Sequence, residues 1–442
     1  MLTVLCLALT VIVIDNTILA VALPSIRHQL HATETDLQWI STAYGLVLAG
    51  LLLPLAVLGD RHGRKGLLLW GLVIFGAASA AAAFAPTALA LAVARGGIGV
   101  GGACTMPATL SIIDSVFTSA QRPRAIAVWS GMAGVAGAAG PVAGGLLLAR
   151  FWWGSVFLVN VPVAIVTLIG AAVFVPTSRD PGATPVDLGS SWRWWGALTA
   201  GLLAIIEGPQ LGWLSPVVLT AALVAVTLVV AFARREQRSQ HPLVPPETRR
   251  DVRLTAGAAT VAAVFFGGFG VQFLVTQWLQ GPRGFTPLAT AAYFVPYALS
   301  TVAGAFGTPR LLGKVGHARA AALGLAIFAV GTLGAGIGVA AGWVGLVVAS
   351  GLLLGFGFGI GATAGPDLIM SAATEDRAGS AAGVNETLVE AGGALGVAVL
   401  GSVFAASSSY AWPLPVGGLI AVVAAVAVVR ALHGTAADVE AA

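Results

Sequence analysis

Charge is what this chain has least of: only 9% of its 442 residues are Asp, Glu, Lys or Arg. A soluble domain carries about 25%, so a water-facing globular fold is excluded. Cysteine is nearly missing as well, and Cys6 and Cys104 both fall inside apolar runs. Two isolated thiols make neither a disulfide framework nor a metal site. The histidines, at 28, 31, 62, 241, 317 and 433, all fall in predicted loops or tails, and no H-E-x-x-H or G-x-S-x-G is present. That excludes the usual hydrolase constellations. There is no G-x-x-x-x-G-K-[ST] either, so an ATP-driven pump with its own nucleotide site is excluded. The short alternating segments of an outer-membrane barrel are also lacking.

What is present is long apolar sequence, with 57% apolar residues, 58 glycines and a mean hydropathy of +0.93. Uncharged runs longer than about 18 residues have the length an α-helix needs to cross a bilayer. They predict spans near 2–24, 39–58, 66–86, 89–114, 124–148 and 155–175, then 194–211 and 215–233. Six more follow near 255–280, 289–312, 318–340, 343–368, 378–405 and 413–431, which makes fourteen. The first is too long for a signal-peptide core and runs into Asp15 with no A-x-A-like cleavage site, so it reads as a retained helix.

The net charge of +4 would suggest nucleic acid for a soluble protein, but here the distribution of charge among loops matters more. With both termini cytoplasmic, the inside loops hold eighteen Lys and Arg against three outside, Arg27, Arg150 and Arg283. The positive-inside rule therefore sets the orientation. The remaining basic residue, Arg95, lies within a span.

Two polar stretches, 176–193 and 234–253, read as cytoplasmic linkers around an accessory helix pair at 194–233. That leaves six spans at 1–175, six at 254–431 and a cytoplasmic tail at 432–442. The halves echo one another: "RAIAV" at Arg124 and "RAGSA" at Arg377 are 253 residues apart, as are Asp114 and Asp367. Two six-helix bundles related as parallel repeats are the expected fold, an arrangement found in secondary transporters.

Several segments resemble the major facilitator superfamily, in particular its fourteen-helix branch of drug:proton antiporters. "GDRHGRKG", with Gly59, Asp60, Arg61, Gly63, Arg64 and Lys65, is similar to the superfamily's cytoplasmic loop motif. "ARGGIGVGGACTMPA" resembles the motif around a membrane-embedded arginine, here Arg95. "GMAGVAGAAGPVAGGLL", with Gly137, Gly140, Pro141, Gly144 and Gly145, resembles the antiporter motif, and "IDNTILAVALPSI" the branch signature. "EGPQLGW" and the acidic pair of span 13 are similar to members that export lipophilic cations. Relatives commonly carry a basic cytoplasmic lead before the first span, which this sequence does not show. The resemblance implies an all-α major facilitator fold of fourteen transmembrane helices and export in exchange for protons.

The residues themselves suggest how such an exchange would work. The Asp60–Lys65 turn forms a candidate gating latch, with Asp114 the expected partner of Arg64. A positive-inside loop with incidental pairing is the plainer reading. The glycines of span 5 permit close helix packing, expected against the opposite bundle.

Membrane-embedded charge is costly unless paired, hydrated or neutralised. Asp15 sits near mid-membrane, and Arg95 is its candidate counter-charge, in a pair that serves structure, transport or both. Glu386 and Glu390 are spaced i, i+4 and share one helix face with Gly383, Gly393 and Val397. Two carboxylates so close cannot both ionise cheaply, so one is expected to hold a proton that a bound organic cation would expel. Glu390, deeper in the span, is the preferred coupling residue. Interhelical hydrogen bonding of neutral glutamates is the structural alternative.

Acids outnumber bases within the spans, which favours a cationic substrate. Glu207 and Asp367 read as structural end charges. Tyr44, Gln272, Gln277, Tyr293 and Tyr297 are possible cavity-lining groups, although ordinary helix packing explains each as well. The expected activity is proton-coupled export of a lipophilic, cationic small molecule by a monomer in the cell membrane. No cofactor beyond the proton gradient and no nucleic-acid partner is implied. The alternative is a major facilitator symporter importing a nutrient.

Overall fold

The computed structural model describes residues 1–118, 121–179, 187–239, 242, 251–373 and 378–440. Arg249, Arg250, Arg377, His241, residues 441–442 and parts of both linkers lie outside that set. The helices are α1 (Leu2–Leu30), α2 (Glu34–His62), α3 (Arg64–Ala83), α4 (Ala88–Val116), α5 (Arg122–Leu148), α6 (Ser155–Leu158) and α7 (Asn160–Phe174). After them come α8 (Leu188–Leu211), α9 (Pro216–Arg238), α10 (Val252–Gln280), α11 (Pro287–Ala341), α12 (Val344–Ser371), α13 (Ala378–Ser407) and α14 (Pro413–Glu440). No strand occurs among the described residues.

Twelve of the described helical stretches are long and apolar enough to cross a membrane, with α6 and α7 counted as one. One of the twelve, α11, is two helices run together across Gly316, whose φ of 78° and ψ of 167° are not helical. At 24 residues α8 is also long enough to cross, but Arg193, Glu207 and three tryptophans lower its hydropathy. Counting both features, the helices are consistent with the fourteen predicted spans.

Helix ends differ from those expected, because hydropathy marks the bilayer crossing and not the limits of the helix. The first helix runs past the apolar run to Leu30 and is closed by His31 in the left-handed conformation. The second starts early because the Thr33 hydroxyl accepts from the Asp36 N–H while the Asp36 carboxylate accepts from the Thr33 N–H. That reciprocal cap satisfies two otherwise unpaired donors. His28 and His62, expected in loops, therefore lie in the last turns of α1 and α2.

The chain divides into two compact units, Met1–Trp195 with Leu279–Ala292, and Gly196–Trp278 with Tyr293–Ala442. The offset of 253 residues between the sequence echoes runs through the helices: it lays Glu34, the start of α2, on Pro287, the start of α11. It also lays Gly63 on Gly316, and both glycines have φ in the left-handed region, at 133° and 78°. A side chain is strained at such a φ, so each turn requires glycine.

In the first unit α4 packs against α2 and α3, and α5 against α1. Small residues set these distances: a Cβ on Gly99 would lie 2.6 Å from the Tyr44 carbonyl oxygen. Such close approach suits a membrane interior, where dispersion packing takes over from hydrophobic burial. The glycines of α5 were expected to face the opposite bundle. Gly145 does so, meeting Leu288 and Ala291 at the start of α11, whereas Gly140 and Gly144 abut Thr17 and Ile18 of α1. The small face of α5 fits α1 because Thr17 and Ile18 are β-branched and fill the space that absent side chains leave.

Candidate functional site

Asp15 and Arg95 meet in the first unit, and neither side chain has any exposed surface. Arg95 Nη1 donates to Asp15 Oδ2 at 2.5 Å, and Arg95 Nε donates to the Ile40 carbonyl at 3.3 Å. The guanidinium lies 4.9 Å from the centre of the Tyr44 ring, within cation–π range. The other carboxylate oxygen, Oδ1, accepts from Asn160 Nδ2 at 2.6 Å. The same amide nitrogen reaches Ser79 Oγ at 3.5 Å. Five helices thus contribute to one network: α1 the acid, α4 the base, α2 the ring and carbonyl, α7 the amide and α3 the hydroxyl.

A charge buried this deeply persists only when paired and hydrogen-bonded. The expected pairing of Asp15 with Arg95 is present, and Tyr44 lines this network and not an open cavity. Asn160 and Ser79 were not anticipated. An Asn in "FLVNVPVA" was a legible signal, since an amide in an apolar span needs a partner.

A different carboxylate environment occurs in the second unit. Glu386 and Glu390 are both half-buried on α13. Asn385 Nδ2 approaches Glu386 Oε1 at 3.4 Å, a long contact, and the Thr387 hydroxyl is occupied by the Gly383 carbonyl. Where Gly393 continues the glutamate face, a Cβ would come within 3.2 Å of the Phe269 ring. From Phe269 a run of rings continues to Phe265 at 6.2 Å and Phe358 at 5.1 Å. It then reaches Tyr297 at 6.3 Å, Phe294 at 6.4 Å and Tyr293 at 5.1 Å. Carboxylates beside aromatic faces offer charge, ring quadrupole and apolar area to an organic cation.

The phenylalanines of this run were missed because phenylalanine in a span reads as ordinary packing. Tyr297 is half-buried, whereas Tyr293 is buried and its hydroxyl points to the Val347 carbonyl at 3.4 Å. Gln272 is half-buried, while Gln277 is 3% exposed with neither amide atom partnered among the described residues.

At the turn between α2 and α3, the expected pairing of Arg64 with Asp114 is replaced by two local ones. Arg64 Nε donates to Asp60 Oδ1 at 2.6 Å, one turn back in sequence, and Arg122 Nη1 sits 2.9 Å from Asp114 Oδ1. Lys65 Nζ donates to the Ala172 carbonyl at 2.7 Å, and the Arg64 N–H to the Ser178 carbonyl at 3.0 Å. The turn is therefore tied to the end of α7. In the second unit the repeat-equivalent residues do pair, with His317 Nε2 2.8 Å from Asp367 Oδ2.

Bundled membrane-spanning helices in two repeat-related sets, with paired charge inside them, define a membrane transporter. The Major Facilitator Superfamily family model matches residues 5–397, and the chain belongs to that superfamily. It is similar to the multidrug efflux pump LfrA of Mycolicibacterium smegmatis, 35% identical over 92% of this chain and 80% of the relative. It is also similar to the tetracenomycin C resistance and export protein of Streptomyces glaucescens, 31% identical over 91% and 75% of the two chains. The methyl viologen resistance protein SmvA of Salmonella typhimurium is 32% identical over 92% and 82%. Among solved structures, a POT family transporter bound to a thioalcohol-conjugated peptide superposes with a TM-score of 0.72 over 96% and 94% of the chains. At 14% identity that likeness concerns the fold alone.

Proposed function

We propose that this protein exports lipophilic, cationic drugs or secondary metabolites in exchange for protons. The observation that carries the reading is the half-buried Glu386/Glu390 pair on a helix that about one turn further on, at Gly393, meets the Phe269 end of an aromatic run, in a chain similar to multidrug exporters. Cation and proton compete there: the cation stabilises ionised carboxylates, and protonation from the outer side displaces it. Glu390 is the coupling carboxylate, and Asp15 exchanges its own proton when its pairing with Arg95 loosens.

Spans 1–6, within 1–175, and spans 9–14, within 254–431, act as two bundles that rock about a midplane cavity, while the helix pair within 194–233 packs outside them. The stretches 176–193 and 234–253 serve as cytoplasmic linkers. The turn of Asp60, Arg61, Arg64 and Lys65, with Asp114, holds one of the two states. Both termini lie in the cytoplasm, and the protein works as a monomer in the cell membrane.

The test is proton efflux from energised inside-out vesicles on adding organic cations, neutral drugs or sugars, with Glu386→Gln/Glu390→Gln as control. Efflux evoked by cations and lost in the double variant supports the reading. Proton movement evoked by a sugar alone would replace it with nutrient symport.

A further inference from the structure

Asn160 is the first residue of α7, and its side chain has no exposed surface. Its Nδ2 donates to Asp15 Oδ1 at 2.6 Å, the carboxylate oxygen that Arg95 leaves free. Its Oδ1 has no partner among the described residues. The amide therefore offers Asp15 a donor that is in use and an acceptor that is not. A buried carboxyl group needs a donor while ionised and an acceptor once it carries a proton. Rotating the Asn160 amide by half a turn exchanges one for the other. Ser79 Oγ, 3.5 Å from Nδ2 and fully buried, fits both settings, since a hydroxyl accepts from the nitrogen or donates to the oxygen.

We propose that Asn160 is a positioning residue for Asp15, an amide that bonds the carboxyl group in both protonation states and so sets the pH at which the buried acid takes up its proton. Other groups facing Asp15 do not offer this. Arg95 on α4 is a donor only, and Tyr44 on α2 presents its ring to the guanidinium. In α3 and α5 the charged groups are confined to the first turns, at Arg64, Lys65, Arg122 and Arg124, and neither α6 nor α7 contains a charged residue. Within α1, Cys6 and Arg27 are more than two turns from Asp15. Among the described residues the acids of α2 and α4, Glu34, Asp36, Asp60 and Asp114, lie in the end turns of those helices, so the amide acts chiefly on the Asp15 titration.

The inference rests on the reading of Asp15 as a proton-exchanging group, and a direct probe separates the two. Infrared difference spectra of the purified, lipid-reconstituted protein, taken as the pH is stepped, report the C=O stretch of a protonated carboxyl group. The Asp15 contribution is the band lost in Asp15→Asn. In Asn160→Leu and Asn160→Ala, which remove donor and acceptor together with and without keeping bulk, the stronger charge-assisted bond to the ionised form is the larger loss, so the titration midpoint is expected to move up by about one pH unit. Asn160→Thr, which keeps a hydroxyl, is expected to restore most of that shift. A band absent throughout the titration overturns the proton role of Asp15 and this inference with it. A band whose midpoint is unchanged in Leu or Ala variants overturns the inference alone.

Discussion

The offset of 253 residues that lays the helices of one half on those of the other brings the end acids Asp114 and Asp367 together but not the acids inside the spans. Asp15 falls on Gly268 and Arg95 on Val348, while Glu386 and Glu390 fall on Ala133 and Gly137. Each half thus carries membrane-embedded carboxylates where the other carries a small or apolar residue. In the first half the acid is walled in, with a fixed counter-charge and an amide on its second oxygen. In the second half the acids are half-exposed, on a helix that at Gly393 meets the Phe269 ring. Two copies of one scaffold have become a closed charge pair in one half and a half-exposed carboxylate pair in the other.

Thermal unfolding in detergent is the severest test of that contrast. Asp15→Asn leaves the Arg95 charge buried and unpaired and is expected to cost about 3–5 kcal/mol. Glu386→Gln should cost under about 1 kcal/mol, because among the described residues one long contact to Asn385 is what it loses. Equal losses in the two variants would erase the distinction. The next effect concerns packing: Gly140→Val drives a side chain into Thr17 and should cost about 1–3 kcal/mol. The equivalent position in α13, Gly393, faces the edge of the Phe269 ring and should tolerate alanine better.

The smallest effect lies outside the membrane, ahead of α10. Hydrogen bonds from the Arg253 side chain hold the Asp251 carboxyl below the usual carboxylate range. A depressed folded value contributes stability above about pH 3.9 and loses it as pH falls through that lower value. Because the pair is partly exposed, Asp251→Asn should lower stability by under about 1 kcal/mol, and only above that pH.

Much of this was legible beforehand, for identifiable reasons. Charge in hydrocarbon is costly enough that Asp15, Arg95, Glu386 and Glu390 stood out from a single sequence. The pairing of Asp15 with Arg95 followed, since a lone buried base needs an acid. Asn160 and Ser79 were missed because amides and hydroxyls are cheaper to bury and occur often in spans. Pairing at the α2–α3 turn could not be read because Arg64 had two acids in range, and the chain reversal at Gly63 brings Asp60 to it. Helix facing was only half legible: glycines announce close approach without naming the neighbour, and α5 meets α11 at Gly145 but α1 at Gly140 and Gly144.

The most direct measurement is proton release into weak buffer when tetraphenylphosphonium is added to the purified protein, compared between wild type and Glu386→Gln/Glu390→Gln. Competition at the half-exposed pair predicts release from the wild type at near-neutral pH, and its loss in the double variant together with weakened cation binding. A double variant that binds the cation and releases protons as the wild type does would contradict the account.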